Sequence, residues 1–227
     1  MKLILFDIDE TLIDSGQAGS MALNIAFKNL FSINNAFNGV SMAGKTDIQI
    51  MKEGLSKHGL ASNNGIIPAI IGAYMEYLSI EINNDRKRLK PGIMEAVETI
   101  KDDNGSFTLG LLTGNIERGA RIKLEPFSLN PYFASGAFGS DHEDRNSLLP
   151  IAVERFNKIT GKTIEFRDCV IIGDTPRDVY CAKPYGAKCI AVATGHYPEN
   201  ALKEAGADVV MTDLSDTKAL LSAIRGE

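Results

Sequence analysis

Short apolar runs recur at residues 3–6, 107–112, 169–172, 189–193 and 209–211, and none of them alternates apolar with polar positions. Unbroken runs of this length suit strands covered on both faces, as in a parallel sheet. Between the later runs the apolar residues fall at helical spacing. Leu148, Ala152 and Phe156 lead to Gly161, and residues 178–185 lead to Gly186, glycines placed where helices commonly end. Strands alternating with helices predict βαβ units.

Residues 15–89 break that rhythm. Ala18, Met21, Ala22, Ile25 and Phe31 keep helical spacing, as do Ile66, Ile67, Ile70, Ile71, Tyr74 and Leu78, and no run comparable to the core strands lies among them. Polar stretches at 14–16 and 85–88 flank this interval, and Pro91-Gly92 restarts the strand and helix pattern. The expected organisation is an α/β core made by residues 1–14 and 90–227, with residues 15–89 forming a helical domain inserted into it.

Composition narrows the classes of function. With 227 residues, 44% of them hydrophobic, the chain can bury a core of this size. A formal net charge of -5 argues against a nucleic-acid partner, which needs a basic face. No apolar stretch approaches the ~20 residues that span a bilayer, and the N-terminal run turns acidic too soon for a signal peptide. A cytoplasmic protein with no membrane partner is expected. Cys169, Cys181 and Cys189 form no C-x-x-C pair and read as free thiols, two of them in or beside apolar runs. Nothing in the pattern speaks to oligomeric state.

Three apolar runs empty into small or acidic polar residues: Asp7 and Asp9 after the first, Thr113-Gly114-Asn115 after the second, Gly173-Asp174-Thr175 after the third. Each alone reads as a helix cap. Together, and with Asp178 four residues beyond Asp174, they converge, because ligands of open parallel sheets bind outside the carboxyl ends of the strands. Clustered carboxylates repel one another, and a hard divalent cation such as Mg2+ makes the cluster tolerable. Amides following Thr113 lie where a helix begins, a ready anion site. Phosphoryl transfer is the chemistry that fits.

These stretches resemble the haloacid dehalogenase superfamily. Asp7-Ile8-Asp9-Glu10-Thr11 is similar to its D-x-D-x-T motif, Leu111-Leu112-Thr113-Gly114-Asn115 to its second motif, and Gly173-Asp174-Thr175-Pro176-Arg177-Asp178 to its GDxxxD motif. The resemblance implies a Rossmann-like parallel sheet with helices on both faces and an inserted helical cap, as in phosphoglycolate phosphatases. It implies Asp7 as a nucleophile forming an aspartyl-phosphate, and Asp9 as the acid to the leaving oxygen and the base for water. The metal set it implies is Asp7, Asp9 through its backbone carbonyl, and Asp174, with Asp178 orienting the metal's waters. Thr113, Gly114 and Asn115 would bind the phosphoryl group of a small phosphorylated metabolite.

The third motif departs from the family pattern. A lysine usually opens the helix before the GDxxxD strand, whereas this chain reads "SDHEDRNSLLPIAVERF". Arg145 is the expected stand-in, serving both catalysis and phosphate binding, with Lys158 or Lys162 as the fallback. Lys45, in "AGKTD", occupies a cap loop where the family carries specificity residues. His58, His142 and His196 share no metal spacing, although His142 lies close enough to Arg145 in sequence to reach a substrate. A Mg2+-dependent phosphatase is the leading reading. A phosphomutase shares every core residue, and a phosphonate hydrolase needs a cap lysine such as Lys45. A metal-free dehalogenase conflicts with Asp9, Asp174 and Asp178. From a different class, a phospho-receiver module would be about half this length, with its phosphorylated Asp on a later strand.

Overall fold

The computed structural model describes residues 1–63, 65–103 and 105–227. Along the chain run β1 (Lys2–Phe6), β2 (Ile13–Asp14), α1 (Ala18–Phe31), α2 (Asp47–Lys57), α3 (Ile66–Glu81), β3 (Arg88–Leu89), α4 (Ile93–Lys101), β4 (Phe107–Thr113) and α5 (Glu117–Leu124). There follow β5 (Gly136–Phe138), α6 (Leu148–Thr160), β6 (Cys169–Gly173), α7 (Pro176–Ala182), β7 (Lys188–Val192), α8 (Glu199–Ala205), β8 (Val209–Met211) and α9 (Thr217–Arg225). Six strands form one parallel sheet in the order β5-β4-β1-β6-β7-β8.

Strand β1 explains why its sequence run does not alternate. Ile4 and Phe6 enter one apolar layer with residues of α4, α5 and α9. Leu3 and Leu5 enter the opposite layer with residues of α6 and α7. Both faces are covered, so apolar side chains are favoured at every position. Neighbouring strands hold β1 in register, with Phe6 between Leu111 and Ile172. This is the expected α/β architecture, with helices on both faces of a parallel sheet.

Helices α1, α2 and α3 pack on one another around Leu23, Phe27, Met51, Leu55, Ile70, Tyr74 and Leu78, a cluster distinct from the two layers of the sheet. Ile116, at the start of α5, also enters this cluster. The chain crosses between sheet and helices on β2 and β3, which pair antiparallel through Ile13 with Leu89 and Asp14 with Arg88. An ion pair of 2.6 Å between Arg88 and Asp14 reinforces the ribbon. The polar stretches that flank residues 15–89 are thus partly ordered as strand. Among the described residues no helix is long and apolar enough to cross a membrane, and all three cysteines are buried and free.

Candidate active site

The tips of β1, β4 and β6 meet at the mouth of a cavity of about 770 Å3 lined by Asp7, Asp9, Lys45, Thr113, Arg145 and Asp174, among others. Asp7 extends the strand pairing by one residue, donating its N–H to the Ile172 carbonyl at 2.9 Å. Carboxylate oxygens of Asp7, Asp174 and Asp178 lie within 4.8 Å of one another, and all three residues are buried. Arg145 is the counter-charge, 2.5 Å from Asp178 Oδ1 and 3.2 Å from Asp7 Oδ2, with 4% of its surface exposed. It occupies the turn just ahead of α6, where Asp144 caps the chain by accepting from the Asn146 N–H. Lys158 and Lys162, by contrast, are exposed on the surface.

Three buried acids face one guanidinium, and their electrostatics follow. Burial pushes the Asp7 carboxyl up to about 6, Arg145 opposes that rise, and Asp178 adds to it. Burial, reinforced by Asp178 and Asp7, also holds Asp174 well above the usual carboxylate range. Asp178 is differently engaged: Oδ2 accepts from the N–H and hydroxyl of Thr175, completing a capping box on α7, while Oδ1 accepts from Arg145. With all three acids ionised, Arg145 leaves two negative charges uncompensated. A hard divalent cation matches both the charge and the oxygen donors.

Asp9 turns away from this cluster. Both of its oxygens accept from Lys123 Nζ, at 2.9 and 2.7 Å, and Oδ2 also accepts from Asn115 Nδ2 at 2.8 Å. Burial would raise the Asp9 carboxyl, but Lys123 and Asn115 outweigh it and hold the group below its ordinary value. The Asn115 amide is committed within the site, donating to Asp9 and to Thr113 Oγ1 and accepting from Lys123 at 2.6 Å. The Thr113 hydroxyl in turn favours the charged form of Asp7.

The loop before α2 reaches the same place from the inserted helices. Thr46 Oγ1 donates to the Glu143 carbonyl at 2.7 Å, the Asp47 N–H donates to the Gly114 carbonyl at 2.8 Å, and Asp47 Oδ2 accepts from the Ile116 N–H at 2.9 Å. Gly114 lies directly under this loop. A Cβ there would stand 2.1 Å from the Lys45 carbonyl oxygen. Burial pushes the Asp47 carboxyl up to about 6, although Lys123 and the Ile116 N–H both favour its charged form. Lys45 lines the cavity with its ammonium 2.5 Å from Glu53. His196 also lines the cavity; His142 lies outside it, on a separate groove beside Arg145.

Sequence reasoning missed Lys123, Asp47 and the pair formed by Lys90 with Glu10. For Lys123 a signal exists. The buried positions of α5 are Gly119, Ala120, Lys123 and Leu124, so a lysine stands at core spacing among small and apolar residues. Asp47 gives no such signal, because an acid in the first turn of a helix is ordinary.

Comparison with known proteins identifies the family. The chain is 24% identical to Phosphoglycolate phosphatase 1 of Pseudomonas aeruginosa over 223 residues, covering 95% of this chain and 78% of that protein. A crystal structure of a predicted phosphatase from Clostridium acetobutylicum superposes with a TM-score of 0.73 at 21% identity, covering 97% of this chain and 98% of the other. CbbY from Rhodobacter sphaeroides, crystallised with phosphate, gives 0.74 at 18% identity over 95% and 96% of the two chains. Residues 4–192, from the first core strand to the end of β7, match the profile of haloacid dehalogenase-like hydrolases, and the chain belongs to that family.

Proposed function

We propose that this hydrolase removes the phosphoryl group from a small phosphomonoester through an aspartyl-phosphate on Asp7. The observation that carries the reading is the placement of the Asp7 carboxylate on the cavity wall, beside the Thr113 hydroxyl and 3.2 Å from the Arg145 guanidinium. In the first step a carboxylate oxygen of Asp7 bonds to phosphorus while the ester oxygen leaves with a proton from Asp9. A bound phosphoryl dianion opposes the charge of Lys123 and raises the affinity of Asp9 for that proton. Water then attacks phosphorus and gives a proton back to Asp9. The bond between phosphorus and Asp7 breaks, releasing inorganic phosphate.

Arg145 contributes a fixed positive charge next to the nucleophile, where negative charge accumulates. Asp7, Asp174 and the backbone carbonyl of Asp9 would hold Mg2+, with Asp178 beside them. Bound there, the ion would screen the carboxylate nucleophile from the incoming dianion. Residues 15–89 would act as a cap, docked here through Thr46 and Asp47, that excludes bulk water and presents Lys45 to the substrate. Relatives named phosphoglycolate phosphatase favour a compact substrate of that kind, and the cavity lies in the size range of small-molecule sites.

The test is a screen of phosphorylated metabolites with Mg2+, run on the wild type and on Asp7→Asn. Release of inorganic phosphate from at least one metabolite by the wild type and none by Asp7→Asn is the expected result. Wild-type turnover by Asp7→Asn would overturn the assignment of the nucleophile.

A further inference from the structure

The geometry points to Lys123 as a positioning residue that holds the Asp9 carboxylate in its working orientation for proton exchange with the leaving group. This inference rests on the proposed role of Asp9. Lys123 lies on the buried face of α5, with 4% of its surface exposed. Its ammonium donates to both oxygens of Asp9 at 2.9 and 2.7 Å and to Asn115 Oδ1 at 2.6 Å. Asn115 closes the triangle by donating to Asp9 Oδ2 at 2.8 Å, and a further bond ties it to Thr113 Oγ1 at 2.9 Å. The Asp9 side chain is 40% exposed yet gripped at both oxygens, while the lysine that grips it is sealed from solvent.

Packing alone gives no reason for a lysine at this position. Its neighbours on the buried face of α5 are Gly119, Ala120 and Leu124, and an apolar side chain would avoid the cost of desolvating an ammonium. The inserted helices also leave room for the charge. A Cβ on Gly19 of α1 would lie 3.3 Å from Lys123 Nζ and 3.4 Å from the Tyr74 hydroxyl, so the helix crosses close over the ammonium with no side chain between. Lys123 makes none of the contacts that hold Asp7, Arg145 or Asp178 together. Its influence on the reaction runs through Asp9 and Asn115.

That arrangement predicts a selective defect. An alkyl phosphate needs a proton delivered to its leaving oxygen, whereas a nitrophenyl phosphate expels a stable anion and hardly needs one. The value of kcat/KM reports only events up to departure of the leaving group, which isolates the step in which Asp9 acts as acid. Misplacing a catalytic group by about 1 Å costs roughly 10²-fold. Lys123→Met should therefore lower kcat/KM for an alkyl phosphate by about 10²-fold and that for nitrophenyl phosphate by less than about threefold, far below the range of acid-base assistance. Inhibition by inorganic phosphate should stay close to wild type, because Asn115 loses its bond from Lys123 but keeps its own bond to Thr113 Oγ1 at 2.9 Å.

In an Asp9→Asn background, Lys123→Met should cause no further loss, and this double variant leaves neither Asp9 nor Lys123 as an unpaired charge if the single variant folds poorly. Lys123→Gln supplies a neutral donor and should recover part of the alkyl activity. Equal losses on the two esters, or an additional loss in the Asp9→Asn background, would overturn the positioning role while leaving the phosphatase reading intact. A wild-type protein that hydrolyses neither ester would overturn both.

Discussion

Asp47→Asn isolates the cost of the buried acid through which the inserted helices meet the sheet. Asp47 is 6% exposed and its carboxyl is raised from 3.8 to about 6, chiefly by burial. A raised carboxyl means that the folded protein prefers the neutral form. The ionisation cost is absent below pH 3.8, grows as pH climbs past that value, and is complete above about 6. A rise of about two units corresponds to about 3 kcal/mol in full, of which about 1.5 kcal/mol accrues between pH 5 and pH 8. Asparagine has nearly the same shape, keeps an oxygen to accept from the Ile116 N–H, and cannot ionise. The Asn variant should therefore gain on the wild type by about 1.5 kcal/mol as pH rises from 5 to 8, which is about 3–6 °C in Tm for a chain of this size. Urea unfolding of both proteins at the two pH values measures the gap directly, since other acids common to both cancel. A gap that does not change with pH, or that closes as pH rises, would refute the reasoning.

Arg145→Ala should lower kcat by ~10²–10³-fold, the usual loss of one stabilising donor in a transition state, whereas Arg145→Lys should keep part of the rate because the charge remains. Steady-state assays at saturating Mg2+ and substrate compare them, and an alanine variant within about threefold of wild type would remove Arg145 from the mechanism. Gly114→Ala places a Cβ 2.1 Å from the Lys45 carbonyl oxygen, so the loop must retreat by at least about 1 Å to reach ordinary contact. A displacement of that size should cost about 10²-fold in kcat/KM for the best metabolite, and activity equal to wild type would show that the docked loop is not needed.

The strand tips were legible because they combine two strong signals, unbroken apolar runs and acids at their ends. Asp7, Asp9, Thr113 and Asp174 line one cavity, and Arg145 lies against Asp7 and Asp178. Strand β5 was not legible. It has only three residues, Gly136–Phe138, at the edge of the sheet, too few to show a periodicity. Helix α2 was missed for a related reason: Gly54 sits in its middle, where a Cβ would strike the Phe37 ring at 2.5 Å, and its mean hydropathy is low. The partners of Asp9 were hidden because they depend on long-range approach. Lys123 is 114 residues from Asp9, and no local pattern records that the tip of β1 and the buried face of α5 meet.

The ribbon of β2 and β3 has a mechanical consequence for the proposed cap. Two separate tethers would let the inserted helices swivel, slide and twist independently of the sheet. A laddered pair, with Ile13 buried in the main core and Arg88 clasped to Asp14, restrains sliding and edgewise shear and leaves flexing across its own face as the compliant direction. The two crossings would then act as one leaf spring with one axis. Were the proposed cap to open, the Lys45, Thr46 and Asp47 backbone would return along the same arc to Gly114, Ile116 and Glu143, so alignment of the cavity wall would be built into the tether instead of being found afresh by the loop at every turnover.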